Sequence, residues 1–224
     1  MAQQTALISG ITGNLGKAVA QHFFERSWQV TGTSHKEVTH NDFDIVPVDL
    51  TNEQAADKYV RNAIQKFGAI DIAVLTVGGF AMGALADTGI QEIEKFFRLN
   101  FETAYNLVRP LYQHMKSRQK GKFFFIGSGQ GLNTRSGKEA VAYSLSKSLL
   151  FQLANIINTE KATSGVEAFA VVPAIIDTVQ NREAMPKADF GQWQKPEDIA
   201  AIIGRYASYQ AAGNEIIIIK DELL

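Results

Sequence analysis

The chain has 224 residues, a formal net charge of −1 and no cysteine. This length suits one α/β domain, and the lack of cysteine excludes disulfides, thiolate metal sites and a cysteine nucleophile. The balanced charge argues against nucleic acid or an anionic membrane as a partner. No apolar run approaches the roughly 20 residues that span a bilayer, and no secretory signal precedes the first apolar run, so we expect a cytoplasmic protein.

Short β-branched runs alternate with longer segments of helical period from end to end. The predicted strands are Thr5–Ser9, Gln29–Thr33, Ile45–Val48, Ile72–Thr76, Lys122–Ile126, Glu167–Val172 and Glu215–Ile219. The predicted helices are Asn14–Arg26, Asn52–Phe67, Ile90–Leu99, Phe101–Ser117, Ala142–Lys161 and Pro196–Tyr206. Apolar strands that alternate with helices indicate a parallel sheet buried on both faces. We therefore predict a single domain over residues 1–224, built on a doubly wound parallel sheet.

Three glycines, Gly10, Gly13 and Gly16, separate the first predicted strand from the first helix. Glycines at such a junction permit a tight turn, let the backbone approach a pyrophosphate, and let the helix pack closely on the strand. The helix N-terminus then offers free N–H groups to phosphates. The turn predicts a dinucleotide site, and the alternative for such a turn taken alone is a sharp loop.

The residues that follow the second strand bear on which dinucleotide is bound. An acidic residue there would accept a hydrogen bond from the ribose 2′-hydroxyl of NAD, whereas basic residues suit the 2′-phosphate of NADP. Ser34, His35 and Lys36 stand there instead, which favours NADP(H) over NAD(H); a solvated turn is the alternative. Asp49 closes the third strand, where it could contact the adenine amine or cap the helix beginning near Asn52.

Tyr143 and Lys147 are four residues apart, on one face of a predicted helix. A neighbouring ammonium lowers the pKa of a phenol from its usual value near 10 and suits it to proton transfer. A chance pairing is the alternative. Ser128 follows the fifth strand at the carboxyl edge of the sheet, where open α/β folds bind ligands. Its hydroxyl could polarise a carbonyl group or serve only as a turn hydrogen bond.

In order and spacing together, these features resemble the short-chain dehydrogenase/reductase family over essentially the whole chain. The resemblance also rests on Gly78-Gly79, on Asn100 and on the segments 173–178 and 196–200. It implies a Rossmann-type sheet with about seven strands and a catalytic tetrad. Tyr143 would be the general acid/base and Ser128 would orient the substrate.

The resemblance also assigns the remaining tetrad roles and the cofactor contacts. Lys147 would bind the nicotinamide ribose and lower the pKa of Tyr143, while Asn100 would hold a water of a proton relay. Besides the glycines and residues 34–36, the implied cofactor contacts are Thr12, Asn14, Leu15, Asp49, Leu50, Gly78, Gly79, Tyr143, Lys147, Pro173, Ile176 and Thr178. Several positions depart from the family pattern, among them Asn14 in place of a glycine, but no group that does chemistry is lost.

Two stretches, residues 77–83 and 172–193, further resemble dihydropteridine reductases. The second stretch carries four side chains that could cover a flat heteroaromatic substrate: Asn181, Arg182, Phe190 and Trp193. The alternative is that the two aromatic rings pin the loop onto the sheet. The presence of Ser128 and Asn100, and the missing acid after the second strand, favour a general carbonyl reductase.

We therefore predict an NAD(P)(H)-dependent oxidoreductase that moves a hydride between nicotinamide and a small carbonyl or imine. The rival hypothesis is a cofactor-binding sensor or scaffold that does not catalyse. The resemblance implies a homodimer or homotetramer, and we expect no metal because no ligand set is visible. Apolar side chains that could supply the subunit contact, or belong to the core, are Phe101, Tyr105, Leu150 and Phe151.

Overall fold

Seven strands form one sheet in the structure, a computed structural model that describes residues 3–208 and 216–219. The strands are β1 (Thr5–Ser9), β2 (Gln29–Ser34), β3 (Asp44–Pro47), β4 (Ile72–Leu75), β5 (Gly121–Ile126), β6 (Val166–Val172) and β7 (Ile216–Ile218). Their order is β3-β2-β1-β4-β5-β6-β7, and every neighbouring pair is parallel. The sheet therefore grows outward from β1 in both directions, as the predicted doubly wound arrangement requires.

Helices cover both faces of the sheet. They are α1 (Asn14–Phe24), α2 (Glu53–Phe67), α3 (Ile90–Phe97), α4 (Thr103–Ser117), α5 (Gly129–Leu132), α6 (Thr134–Gly137), α7 (Val141–Thr159), α8 (Lys161–Ser164), α9 (Val179–Ala184) and α10 (Pro196–Ser208). Val19 of α1 and Ile203 of α10 are buried in the core on one face. Val60 of α2 and Leu107 of α4 are buried on the other. Because each face has its own core, the central strands β4, β5 and β6 are largely apolar.

The predicted elements are confirmed, with ends that differ by at most two residues among those the structure describes. Glu215, at the start of the last predicted strand, lies outside the described residues. The predicted helix over residues 142–161 ends earlier, at Thr159, and the separate turn of α8 follows it. Gly165 closes that turn with a φ of +65°, a conformation that glycine adopts without steric cost.

One feature of the helices was absent from the sequence prediction. A π-helical turn, Arg98–Glu102, joins α3 to α4, so that the two run as one helix with a local widening. Such turns are rare and occur often at functional sites. No helix among the described residues is both long and apolar enough to cross a membrane.

Candidate active site

The turn after β1 is shaped by close backbone contacts. Gly10 has a φ of +64°, and a Cβ atom on Gly16 would stand 2.2 Å from the carbonyl oxygen of Gly10. The first turn of α1 therefore packs directly on the loop. The N-cap of α1 is Gly13, which has no side chain to occupy the first N–H groups, and the first turn contains no acidic residue. The positive end of the helix is thus open to an anion.

A cleft of ≈ 460 Å³ opens at this turn, along the carboxyl edge of the sheet. It brings together most of the predicted cofactor residues: Gly10, Thr12, Gly13, Asn14, Leu15, Gly16, Ser34, His35, Asp49, Leu50 and Gly78. The glycines leave a cradle that side chains would fill, and the helix N-terminus faces it. These features fit a dinucleotide, whose pyrophosphate needs close backbone approach and N–H donors.

The end of β2 forms a compact turn beside this cleft. The hydroxyl of Ser34 is buried and donates to the carbonyl of Lys36. His35 lines the cleft, while the side chain of Lys36 is exposed just beyond the lining. The predicted phosphate ligands therefore lie together, with Ser34 holding the turn that carries the other two.

Asp49 lies at the same end of the cleft as His35. The hydroxyl and the N–H of Thr51 donate to its Oδ1 at 2.7 and 2.9 Å, and these hydrogen bonds lower the pKa of Asp49. Asn52 is the N-cap of α2 and accepts from the N–H of Ala55 at 3.0 Å. The alternative that Asp49 caps this helix is therefore wrong.

A second cleft, of ≈ 430 Å³, contains the predicted tyrosine and serine. It shares Leu15, Thr76 and Gly78 with the first cleft, so the two are continuous. Ser128 is the N-cap of α5, where its Oγ accepts from the N–H of Gly131 at 3.1 Å, and its hydroxyl lies close enough to the phenol of Tyr143 to lower the pKa of that group. Both roles considered for Ser128, the turn and the site, are present in the geometry.

Lys147 lies one helical turn after Tyr143 and is buried. Its Nζ donates to the carbonyl of Ile126 at 2.8 Å and lies 5.9 Å from the centroid of the Tyr143 ring. A Cβ atom on Gly78 would stand 3.1 Å from this Nζ. The glycine therefore leaves space at the ammonium group, where both clefts meet. Burial lowers the pKa of Lys147 to about 8.

The expected effect of Lys147 on Tyr143 is absent from the structure. Burial raises the pKa of the Tyr143 phenol, and the hydrogen bond with Ser128 only partly offsets that rise. With a pKa of about 8, Lys147 is still mostly protonated at pH 7, but its charge does not offset the effect of burial on the phenol. In the protein alone Tyr143 is thus a protonated phenol at neutral pH, and the predicted lowering of its pKa is wrong.

Asn100 lies in the π-helical turn and is fully buried. Its Oδ1 accepts from the N–H of Gly79 at 2.7 Å, and its Nδ2 donates to the Gly79 carbonyl at 3.2 Å and to Oγ of Ser146 at 2.9 Å. The Ser146 hydroxyl in turn donates to the carbonyl of Tyr143 at 2.7 Å. The Asn100 side chain therefore joins the loop after β4 to the helix that carries Tyr143.

The four predicted substrate residues of the loop after β6 separate into two groups. Asn181 lines the second cleft, and its Nδ2 donates to the carbonyl of Ile176 at 2.8 Å. Arg182 forms a bidentate ion pair with Asp177 and lies 4.8 Å from the Phe190 ring centroid. Phe190 packs on the buried ring of Trp193, 4.8 Å between centroids. This second group forms a stack beside the cleft, as the packing alternative expects.

Other predicted and unpredicted residues complete the two clefts. Gly79, Tyr143, Lys147, Pro173 and Ile176 line the second cleft as predicted, whereas Thr178 caps α9 by accepting from the N–H of Asn181 at 3.1 Å. The sequence analysis missed several lining residues: Thr33, Val48, Thr51, Thr76, Val77, Leu99, Thr103, Phe80, Ile126, Gly127, Gln130, Ala174, Ile175 and Met185. About half of them end a strand or follow one within three residues, and that position was the available signal.

Comparisons with known proteins agree with this geometry. The family model of the short chain dehydrogenases matches residues 4–189. The chain is similar to an uncharacterized oxidoreductase of Staphylococcus haemolyticus, 28% identical over 93% of this chain and 92% of the relative. It is also similar to 3-oxoacyl-acyl-carrier-protein reductase of Buchnera aphidicola, 25% identical over 94% and 92%. The solved structure of ElxO with NADP bound has a TM-score of 0.87, 20% identity and 96% coverage of both chains.

The chain belongs to the short-chain dehydrogenase family. Its seven-stranded parallel sheet and its open carboxyl edge are those of a Rossmann-like fold. The family match and the relatives named as oxidoreductases make it an NAD(P)-dependent dehydrogenase or reductase.

Proposed function

We propose that the protein is an NADP(H)-dependent reductase of small carbonyl compounds with Tyr143 as the proton donor. The observation that carries the proposal is the half-buried phenol of Tyr143, which lines a cleft together with Ser128, and this cleft is continuous with the dinucleotide cleft. The bound nicotinamide dinucleotide would supply the hydride to the carbonyl carbon. Residues 10–16, His35, Asp49 and Gly78 would hold it.

The chain's own side chains then account for the proton. Because burial raises its pKa, Tyr143 keeps its proton at neutral pH and donates it to the substrate oxygen as that atom gains negative charge. The hydroxyl of Ser128, which lines the same cleft beside the phenol, would orient the same oxygen. Lys147 would bind a ribose hydroxyl with the N–H bonds that its contact with the Ile126 carbonyl leaves free. The product is an alcohol.

The preference for NADP(H) is a further part of the proposal. The turn that Ser34 holds presents the imidazole of His35 and the ammonium group of Lys36, and the nearby carboxylate of Asp49 is held by Thr51. A 2′-phosphate would gain charge-assisted hydrogen bonds there. We also propose a cytoplasmic location, consistent with a chain that has no cysteine.

We propose that the protein forms a homodimer or homotetramer. Phe97, Phe101 and Tyr105 form a ladder of rings on the outside of α3 and α4, with Tyr105 43% exposed. Leu150 and Phe151, considered as contact residues from the sequence, are buried in the cores of the subunit and are unsuited to an interface. Light scattering that shows only monomers at high protein concentration would contradict this proposal.

The activity is tested by following absorbance of the reduced nicotinamide with NADPH or NADH and a panel of carbonyls and quinonoid dihydropteridine. We expect turnover of carbonyls with a preference for NADPH. Tyr143→Phe should lower kcat by about 10²- to 10⁴-fold, while Tyr112→Phe, which removes a hydroxyl that is outside both clefts and bonded to Glu160, should leave kcat unchanged. Tight NADPH binding without turnover of any compound would favour the sensor hypothesis. Turnover of the pteridine alone would favour a dihydropteridine reductase.

A further inference from the structure

The second cleft has an unusual balance of apolar and charged groups. Among the described residues that line it, Lys147 is the single cationic side chain, and no carboxylate is present. Lys147 already donates to the Ile126 carbonyl and is needed for the cofactor in the proposed function. The rest of the wall is largely hydrocarbon, from Leu15, Phe80, Ile175, Ile176 and Met185. A substrate therefore meets an apolar wall around the Tyr143 hydroxyl.

Phe80 is the largest apolar side chain in this wall that solvent reaches. It is 55% exposed, and its ring meets the Tyr143 ring edge to face with centroids 4.9 Å apart. Phe80 and Tyr143 line the same cleft, so a molecule whose carbonyl oxygen bonds to the phenol shares that cleft with this ring. An exposed phenylalanine beside the reacting group offers apolar surface that only a bound ligand would cover.

The loop that carries Phe80 is fixed to the catalytic helix. The N–H of Gly83 donates to the carbonyl of Glu139 at 2.8 Å, and the N–H of Val141 donates to the carbonyl of Gly83 at 2.9 Å. These two hydrogen bonds form a β-bridge between Gly83 and Ala140, the N-cap of α7, which lies three residues before Tyr143. The bridge holds the position of Phe80 relative to the phenol before a substrate arrives, so less ordering is required on binding.

The loop after β6 contributes a second apolar group and one of the few polar ones. Met185 lines the cleft just after α9 and is 37% exposed, and Asn181 lines it from α9 itself. Gln130 of α5 also lines it. The side chains of Asn181 and Gln130 are uncharged and can bond to a neutral polar group on a substrate, but they cannot neutralise a carboxylate.

We propose that the cleft selects uncharged ketones or aldehydes that carry an aryl or branched apolar group on the carbonyl carbon, and that Phe80 is the specificity-determining residue. The inference deepens the proposed function and rests on it. Carboxylate-bearing substrates are disfavoured because a buried anion without a cationic partner loses its hydration. Sugars are disfavoured because several hydroxyls would face hydrocarbon without hydrogen bonds.

A matched pair of substrates tests the charge rule. Ethyl benzoylformate and benzoylformate share the phenyl ring and the reacting ketone and differ in the charge of the neighbouring group. We expect kcat/KM with NADPH to be at least tenfold higher for the ester, and glyceraldehyde to be poorer than the ester. Equal or better turnover of the acid or the sugar would overturn the inference while leaving the proposed reductase activity in place.

A matched pair of variants tests the role of Phe80. Phe80→Ala should raise KM for ethyl benzoylformate by about tenfold, the effect of losing an apolar pocket contact, and should leave KM for butane-2,3-dione unchanged. Leu85→Ala is the control, because Leu85 is 79% exposed on the same loop and outside the cleft lining. If the two variants change KM for ethyl benzoylformate equally, or if neither changes it, Phe80 does not determine specificity.

Binding provides a measurement that does not depend on turnover. With NADPH bound, ethyl mandelate and mandelate cannot react by hydride transfer, so calorimetry measures their affinity alone. We expect ethyl mandelate to bind at least tenfold more tightly than mandelate, and Phe80→Ala to weaken the binding of ethyl mandelate by about tenfold. If ethyl mandelate binds but no carbonyl is reduced, the proposed function fails and the specificity of the cleft stands. If neither compound binds, or mandelate binds as tightly as the ester, the inference fails.

Discussion

Lys147 should reduce the stability of the protein that contains it. Burial lowers its pKa from 10.5 to about 8, and each pH unit of such a change corresponds to about 1.4 kcal/mol. At pH 7 the charged lysine therefore costs the folded state about 3 kcal/mol. Replacement by methionine removes the charge and keeps an unbranched apolar chain. Loss of the hydrogen bond to the Ile126 carbonyl lowers the free energy of unfolding by about 1 kcal/mol. Lys147→Met should therefore raise the free energy of unfolding at pH 7 by about 2 kcal/mol.

The pH dependence separates this explanation from simple repacking. Between pH 8 and 10.5 the unfolded chain keeps the lysine proton and the folded chain loses it, so the wild-type free energy of unfolding from this group rises with pH. The advantage of Lys147→Met should therefore be largest at pH 7 and shrink towards pH 10.

Urea unfolding provides the measurement, followed by the fluorescence of Trp28 and Trp193, both buried in the folded protein. The exposed Lys187→Met is the matched control and should show no comparable gain at pH 7. A Lys147→Met variant less stable than wild type at pH 7, or an advantage that does not change with pH, would refute the argument.

Three further predictions concern the backbone and its polar links. Gly16→Ala should weaken NADPH binding at least tenfold in a calorimetric titration, because the Cβ of the alanine would clash with the Gly10 carbonyl. Unchanged affinity would contradict the proposal that the glycine turn binds the dinucleotide. Ser146→Ala should destabilise the protein by about 1–3 kcal/mol in urea, since Asn100 loses a buried partner; a loss below 0.5 kcal/mol, on the order of ordinary surface substitutions, would contradict it. Burial raises the pKa of Asp71, but the hydrogen bond from the Thr5 N–H and the nearby cations lower that pKa overall. The ionised carboxylate therefore stabilises the folded protein above the ordinary carboxyl pKa, and this stabilisation is lost as the pH falls. Asp71→Asn should flatten the acid side of a plot of the free energy of unfolding against pH.

The sheet and the first turn could be predicted from the sequence because local chemistry determines them. The apolar runs and the glycines Gly10, Gly13 and Gly16 are compatible with few other folds, and Ser128, Tyr143 and Lys147 follow one another in the order and spacing of the family. The predicted helix boundaries lie close to the observed ones because capping residues, such as Asn52 of α2, can be recognised in the sequence. These features depend on residues that are near one another in the chain.

The features that the sequence did not reveal depend on contacts between distant segments. The phenol pKa at Tyr143 depends on burial by distant side chains such as Phe80 and Phe96, and so its direction could not be taken from the spacing to Lys147 alone. Phe80 gave no signal because an exposed ring becomes meaningful only beside Tyr143. Likewise, Arg182 was assigned to a substrate from its residue type, whereas its partner Asp177 became evident only in the folded loop.

The π-helical turn at Arg98–Glu102 has a consequence for how the chain can change in length. An α-helix advances about 100° per residue, so removing one residue here would restore α-helical geometry and rotate everything beyond it by about that angle. Either Asn100 would leave Gly79, or the buried stripe of α4 with Leu107 would leave its core. The one extra residue of the π-helical turn thus sets the rotation of α4 relative to Asn100, so that Asn100 reaches Gly79 while Leu107 faces the core. Single-residue deletions in this turn should therefore destabilise the protein far more than deletions in the exposed loops.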